Sequence, residues 1–249
     1  MNQMGNQNER IQVFLAGDST VANCPEHEAP MAGWGQVLGS FFTEQVIVHN
    51  EARGGRSSNS FITERRLTSI LERIRPNDYL FIQFGHNDQK TYGTEPFTTY
   101  QSCLTQYITG AREKGAIPVL VTSVHRRSFD SEGKLVNTLG DYPEAMKQLA
   151  ALSNVPLLDL WSKTEGFYQS LGVEGSKRLF VWFEPDEHPN YPKGIQDNTH
   201  FCKEGATEIA KLVIEGIQEL QLPLAVHVKA SKGFTYCFLT VTRKWRTNT

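Results

Sequence analysis

Apolar runs along the chain alternate with segments of helical period. Five runs are short and rich in Val, Ile, Leu and Phe: Gln12–Ala16, Val46–Asn50, Tyr79–Phe84, Pro118–Thr122 and Pro156–Asp159. Runs of this kind suit strands covered on both faces, as in a parallel sheet. Between the third and fourth, Phe97, Tyr100, Cys103, Leu104, Tyr107, Ile108 and Ala111 step by three or one and mark one apolar helix face. Gly115 stops that helix and Pro118 opens the next strand. Ala145, Met146, Leu149 and Leu152 repeat the pattern, and Ala206, Ile209, Ala210, Val213, Ile214, Ile217 and Leu220 give the clearest helix, ended by Pro223. Strands alternating with helices predict βαβ units, a parallel sheet and right-handed crossovers, hence an α/β fold with helices on both faces.

Two regions resist this pattern. Glu174 to Phe201 reads as a long connection rich in Pro, acidic residues, His and aromatics, and long loops in compact domains are often functional. The tail, residues 229–249, contains a β-like stretch, Phe234–Val241, with no place in the alternation. It reads either as an extra edge strand or as residues foreign to the domain. The expectation is a single domain over residues 1–228.

Composition narrows the class. The 249 residues are 39% hydrophobic and 21% charged, an ordinary globular balance. A formal net charge of −2 gives no overall basic field for nucleic acid or anionic lipid, and no nucleic-acid motif accompanies the basic run Thr242–Arg246. No stretch nears the roughly 20 apolar residues of a membrane span. Nothing resembles a signal h-region, so a cytoplasmic protein is expected unless a signal was removed. Cys24, Cys103, Cys202 and Cys237 are scattered, without zinc spacing or a disulfide framework.

In parallel sheets ligands bind beyond the carboxyl ends of the strands, so the residues after each run matter most. The first run ends in Gly17-Asp18-Ser19-Thr20, where a serine on a strand-to-helix turn exposes its hydroxyl near a helix N-terminus; the same residues also suit a plain turn or cap. The second leads to Arg53-Gly54-Gly55-Arg56-Ser57, whose glycines let backbone N–H groups approach a ligand and donate to an oxyanion. After the third comes Gly85-His86-Asn87-Asp88, with an amide able to donate to a developing negative oxygen. Before the last helix stands Asp197-Asn198-Thr199-His200, in which a carboxylate three residues from an imidazole can fix its tautomer and stabilise the imidazolium. Jointly they supply a nucleophile, a base, an orienting acid and oxyanion donors at one sheet edge.

These four segments, in this order from Gly17 to about Gly205, resemble the conserved blocks of the SGNH hydrolases, also called the GDSL family. Thr20 stands where many members have Leu. Gly-Asp-Ser-Thr, Gly-Arg-Ser and Phe-Gly-His-Asn-Asp resemble rhamnogalacturonan acetylesterases, the pectin-deacetylating carbohydrate esterases, most closely. The resemblance implies a flavodoxin-like three-layer α/β/α sandwich with a five-stranded parallel sheet and a shallow, open site without a lid. Carried over by position, it implies Ser19 as nucleophile, His200 as general base and acid, and Asp197 as its orienting partner. The oxyanion hole would be the Ser19 N–H, the Gly55 N–H (Gly54 being the one-residue alternative) and the Asn87 side chain. It implies a serine esterase acting on acetylated oligo- or polysaccharide, without cofactor or metal. Acetylxylan and small acetyl esters are the nearest alternative substrates.

Sugar contacts are expected from aromatic faces and from cations that match a galacturonate carboxylate. Trp34, Trp182, Phe183, His188 and Tyr191 are the aromatic candidates, and Arg56, Arg126, Arg127 and Lys193 the cationic ones. His86 and His125, just after the third and fourth runs, are added for their position. Two rival classes remain. In a metal-dependent phosphoesterase, Asp18, His86, Asp88, Asp197 and His200 would ligate two divalent ions, leaving Ser19 and the glycine segment without a task. A non-catalytic carbohydrate-binding module would need no intact triad.

Overall fold

The computed structural model describes residues 10–230. The β-like stretch expected at Phe234–Val241 lies outside them. Five strands, β1 (Ile11–Gly17), β2 (Val46–Asn50), β3 (Tyr79–Gln83), β4 (Ile117–Val121) and β5 (Leu157–Leu158), form one parallel sheet in the order β2-β1-β3-β4-β5. Val13 sits opposite Val48 on one side and Tyr79 on the other. This order reverses between β1 and β3, which opens a crevice at their carboxyl ends, where α/β sheets bind ligands.

The apolar runs work because alternate residues feed two separate cores. Val13, Leu15, Tyr79, Phe81, Val119 and Val121 face one core, while Phe14, Ala16, Leu80, Ile82 and Leu120 face the other. Burying each such side chain is worth about 1.5–3 kcal/mol. The helices are α1 (Trp34–Leu38), α2 (Ser58–Thr63), α3 (Arg66–Leu71), α4 (Gln101–Glu113), α5 (Tyr142–Ser153), α6 (Leu160–Gly175) and α7 (Lys203–Glu219). α1, α6 and α7 cover the first face, through Trp34, Tyr168, Ile209 and Val213 among others. α2 to α5 cover the second, through Phe61, Ile70, Leu104 and Met146 among others. The result is the expected three-layer α/β/α sandwich.

The expected elements return with small shifts. α4 is preceded by a π-helical turn, Pro96–Tyr100, and Gly115 follows it at φ +70, a left-handed conformation that glycine adopts without strain. Asn154, at φ 49, ends α5 in the same way. The long connection expected over Glu174–Phe201 is largely ordered structure instead. α6 runs to Gly175, a 3-10 turn spans Ser176–Leu179, and β6 (Phe180–Phe183) pairs antiparallel with β7 (Ile195–Phe201). Its polar composition comes from the hairpin tip, residues 184–194, while Phe180, Val181 and Phe201 are buried at its base.

Candidate active site

The chain leaves β1 at Gly17 and turns at once. Val21 and Ala22 both donate their N–H to the Asp18 carbonyl, at 3.2 and 3.0 Å, so Ser19 lies on the outside of a tight turn. A Cβ on Gly17 would meet Val21 Cγ2 at 2.7 Å, which explains the glycine. The helix expected directly after Ser19 does not form. Cys24 precedes Pro25, a position that disfavours helical backbone, and the first α-helix begins only at Trp34.

A buried hydrogen-bond chain holds this turn from below. Trp34 Nε1 donates to Gln83 Oε1 (2.9 Å), Gln83 Nε2 to Thr20 Oγ1 (2.7 Å), and Thr20 Oγ1 to Asp18 Oδ1 (2.8 Å). Asp18 Oδ2 faces His86 Nδ1 at 3.3 Å. Burial pushes the Asp18 carboxyl up, but His86 and the Thr20 bonds outweigh it and hold the group below the usual value.

The β6–β7 hairpin brings the imidazole across the crevice. His200 Nε2 lies 2.9 Å from Ser19 Oγ, and its Nδ1 lies 2.7 Å from Asp197 Oδ2. Asp197 Oδ1 accepts the backbone N–H groups of Thr199 and His200 at 2.7 and 2.8 Å. An ionised carboxylate only accepts, so Nδ1 carries the ring proton and Nε2 presents its lone pair to Ser19. Burial opposes a charged His200, but the bond and charge of Asp197 prevail and raise its pKa above the ordinary 6.5. Burial likewise opposes a charged Asp197, and His200 with the two backbone bonds lowers it on balance.

Opposite the imidazole stand the glycine segment and Asn87. A Cβ added at Gly54 would be 3.6 Å from Ser19 Cβ, and Gly55 turns at φ +79. Asn87 Nδ2 donates to the Arg56 carbonyl at 3.1 Å, tying the two segments together and leaving its second hydrogen. The backbone N–H groups of Ser19, Gly54 and Gly55 have no acceptor among the described residues. Asp88 turns away from the crevice to Ser58 and Thr94, and burial pushes its pKa up to about 6.

An open cleft of about 670 Å³ runs over these groups. Ser19, His200, Gly54, Gly55 and Asn87 line it, together with Arg53, Arg56 and Lys90 and with the segment that carries Cys24, His27, Glu28 and Met31. That last segment is fixed from the hairpin tip: Asn190 Nδ2 donates to the Glu26 and Ala29 carbonyls and the Tyr191 hydroxyl to the Glu28 carbonyl.

Several expected sugar contacts are corrected. Trp34 is 1% exposed and belongs to the core. His86, at 3%, is turned to Asp18, and His125, at 2%, stacks on Trp161, so neither offers a ring to a saccharide. Burial and the neighbouring His86 drive His125 down to a pKa of about 4. Phe183 stacks on His188 and on Tyr191, and none of the three rings is among the residues that line the cleft. Arg126 is half-buried, donating to the Thr138 and His86 carbonyls. Arg127 is a clamp. It lies over Trp182, and its N–H and Nη1 donate to the backbone and side-chain oxygens of Asn198 at 2.8 and 2.9 Å, between the two hairpin residues of the site. Only the position just after a strand hinted at this role. Of the expected sugar contacts, Arg56 alone lines the cleft.

The ligand set of the rival phosphoesterase is not assembled: among the described residues no three His, Cys, Asp or Glu side chains converge to hold a metal ion. Cys24, Cys103 and Cys202 are free thiols. No helix among the described residues is long and apolar enough to cross a membrane.

The chain is 61% identical over 223 residues to the rhamnogalacturonan acetylesterase RhgT of Bacillus subtilis (strain 168), covering 90% of this chain and 96% of the relative. It is 48% identical over 216 residues to the probable rhamnogalacturonan acetylesterase YesY of the same organism, covering 85% and 94%. The crystal structure of YxiM from Bacillus subtilis superposes with a TM-score of 0.75 at 27% identity, covering 86% of this chain and 58% of that one. Residues 15–193 match the GDSL-like Lipase/Acylhydrolase family, and the chain is therefore a member of that family.

Proposed function

We propose that the protein is a serine carboxylic ester hydrolase that removes acetyl groups from acetylated rhamnogalacturonan. The observation that carries the reading is the unbroken chain from Ser19 Oγ through His200 to Asp197, at 2.9 and 2.7 Å. The substrate rests on the 61% identity to RhgT, which bears the rhamnogalacturonan acetylesterase name.

In the proposed reaction His200 Nε2 takes the Ser19 proton while Oγ bonds to the acetyl carbonyl carbon. The carbonyl electron pair moves onto oxygen. That oxyanion accepts from the Ser19 N–H, the Gly55 N–H and the free hydrogen of Asn87 Nδ2. As the tetrahedral species collapses, the C–O bond to the sugar breaks and His200 returns the proton to the leaving alcohol. Water, deprotonated by His200, then attacks the acetyl-Ser19 ester, and acetate leaves as Oγ regains its proton. Asp197 stays ionised throughout and stabilises the imidazolium.

The test is acetate release from acetylated rhamnogalacturonan fragments and from acetylated xylan, with Ser19→Ala beside the wild type. The proposal expects release from the pectic fragments and a kcat loss on the order of 10⁶ in the variant. Release from xylan alone would move the substrate class to acetylxylan and keep the serine chemistry. A Ser19→Ala enzyme with most of its rate would sink the mechanism.

A further inference from the structure

The charge of the cleft opposes that of the chain. The formal net charge is −2, yet Arg53, Arg56 and Lys90 line the cleft against the lone carboxylate of Glu28. Most cations near the site are already engaged. Arg56 Nε donates to both Glu64 oxygens and its Nη1 to the Gly54 carbonyl. Arg127 is spent on Asn198, Ser176 and the Val173 carbonyl. Arg53 and Lys90 differ. Both are exposed, and neither side chain forms an ion pair or hydrogen bond among the described residues.

Their backbone anchors put them beside the reacting groups. Arg53 N–H donates to the Gly17 carbonyl at 3.0 Å, at the root of the Ser19 turn, and Gly54 follows directly. Lys90 N–H donates to the Asn87 carbonyl at 3.3 Å. The two cations thus line the same cleft as the oxyanion donors, one next to Gly54 in the chain and the other one turn beyond Asn87. A neutral acetyl ester has no use for two unpaired cations there, whereas a substrate bearing a carboxylate close to its acetyl group does.

We infer that Arg53 and Lys90 form a carboxylate-reading subsite for a uronate next to the acetylated sugar, and that they set a preference for acetyl esters on acidic saccharides. This rests on the saccharide deacetylase reading above. Arg53 offers a planar fork that suits a carboxylate, and Lys90 adds a mobile point charge. Because both are exposed, the preference weakens with salt, as screening shortens to a few ångströms near 1 M.

The experiment compares wild type, Arg53→Gln, Lys90→Gln and the double variant. It measures kcat/KM for acetylated rhamnogalacturonan fragments with free carboxylates and for the same fragments methyl-esterified. The wild-type ratio is expected to exceed about tenfold, corresponding to about 1.4 kcal/mol, and to fall toward one in the double variant and in about 0.5 M salt. Alongside it, calorimetric titration of deacetylated fragments onto each protein measures recognition without turnover. Binding that weakens about tenfold in the double variant, in a protein that fails to deacetylate the fragments, upholds the subsite and sinks the deacetylase reading. A ratio unmoved by the double variant, or fragments that bind all four proteins alike or none of them, overturns the subsite.

Discussion

Asp197→Asn isolates the orienting role of the carboxylate. In the wild type Oδ1 accepts two backbone N–H groups, at 2.7 and 2.8 Å, and Oδ2 accepts His200 Nδ1 at 2.7 Å. The asparagine amide has one acceptor to share among these three donors. Two of them are backbone and fixed, whereas the imidazole can move its proton to the other nitrogen. The amide oxygen therefore stays on Thr199 and His200, and its NH₂ faces Nδ1. His200 then holds its proton on Nε2, where it faces Ser19 Oγ at 2.9 Å with no lone pair to offer. A wrong tautomer of this kind costs about 10⁴ in kcat, or about 5.4 kcal/mol at about 1.36 kcal/mol per tenfold. The assay is hydrolysis of a soluble aryl acetate across pH. In the wild type the rate rises with pH as His200 deprotonates, with a midpoint above 6.5 because Asp197 holds the charged ring. Removing that charge moves the residual rise to lower pH. The linked stability has the same origin: the pair contributes below pH 6.5 as long as Asp197 stays ionised, and is lost as pH climbs through the raised His200 value. A variant within tenfold of wild type in kcat, or a rise that does not move, would refute the tautomer argument.

Three further outcomes are expected. Asn87→Ala lowers kcat on the same ester by about 10²–10³ with little change in KM, since the lost amide hydrogen matters only once negative charge develops. Arg127→Met frees Asn198 and lets the hairpin drift; kcat falls about 10²-fold for a shift near 1 Å while KM for a small ester holds, and an equal change in both would remove the clamp role. Trp34→Phe leaves Gln83 Oε1 without its donor and costs about 1–3 kcal/mol in chemical unfolding. Its ratio of acidic to neutral substrate stays at the wild-type value, whereas a changed ratio would restore Trp34 as a sugar contact.

Some of this was legible without coordinates. β1, β3 and β4 are apolar at nearly every position because two helical layers cover them, so their runs stand out. α4, α5 and α7 carry long apolar stripes that only a helix satisfies. Order along the chain and the crossover rule then put Ser19, the glycine segment and Asn87 at one sheet edge. α1, α2 and α3 are each of six residues or fewer, too short to show a period. The β6–β7 hairpin was hidden because its polar tip outweighs the few apolar residues at its base.

By itself, then, the sequence determined the layered α/β architecture and picked out the candidate reacting groups, because both rest on local periodicity and on residue types next to strand ends. The tertiary structure decided which of many similar side chains are available. Trp34, His86 and His125 are the right types in the right order, yet partners from distant segments (Gln83, Asp18 and Trp161) take them into the interior. Arg56 and Arg127 are engaged by Glu64 and Asn198, while Arg53 and Lys90 are left facing the cleft. A side chain's freedom depends on who else reaches it in space, and chain order carries almost none of that information.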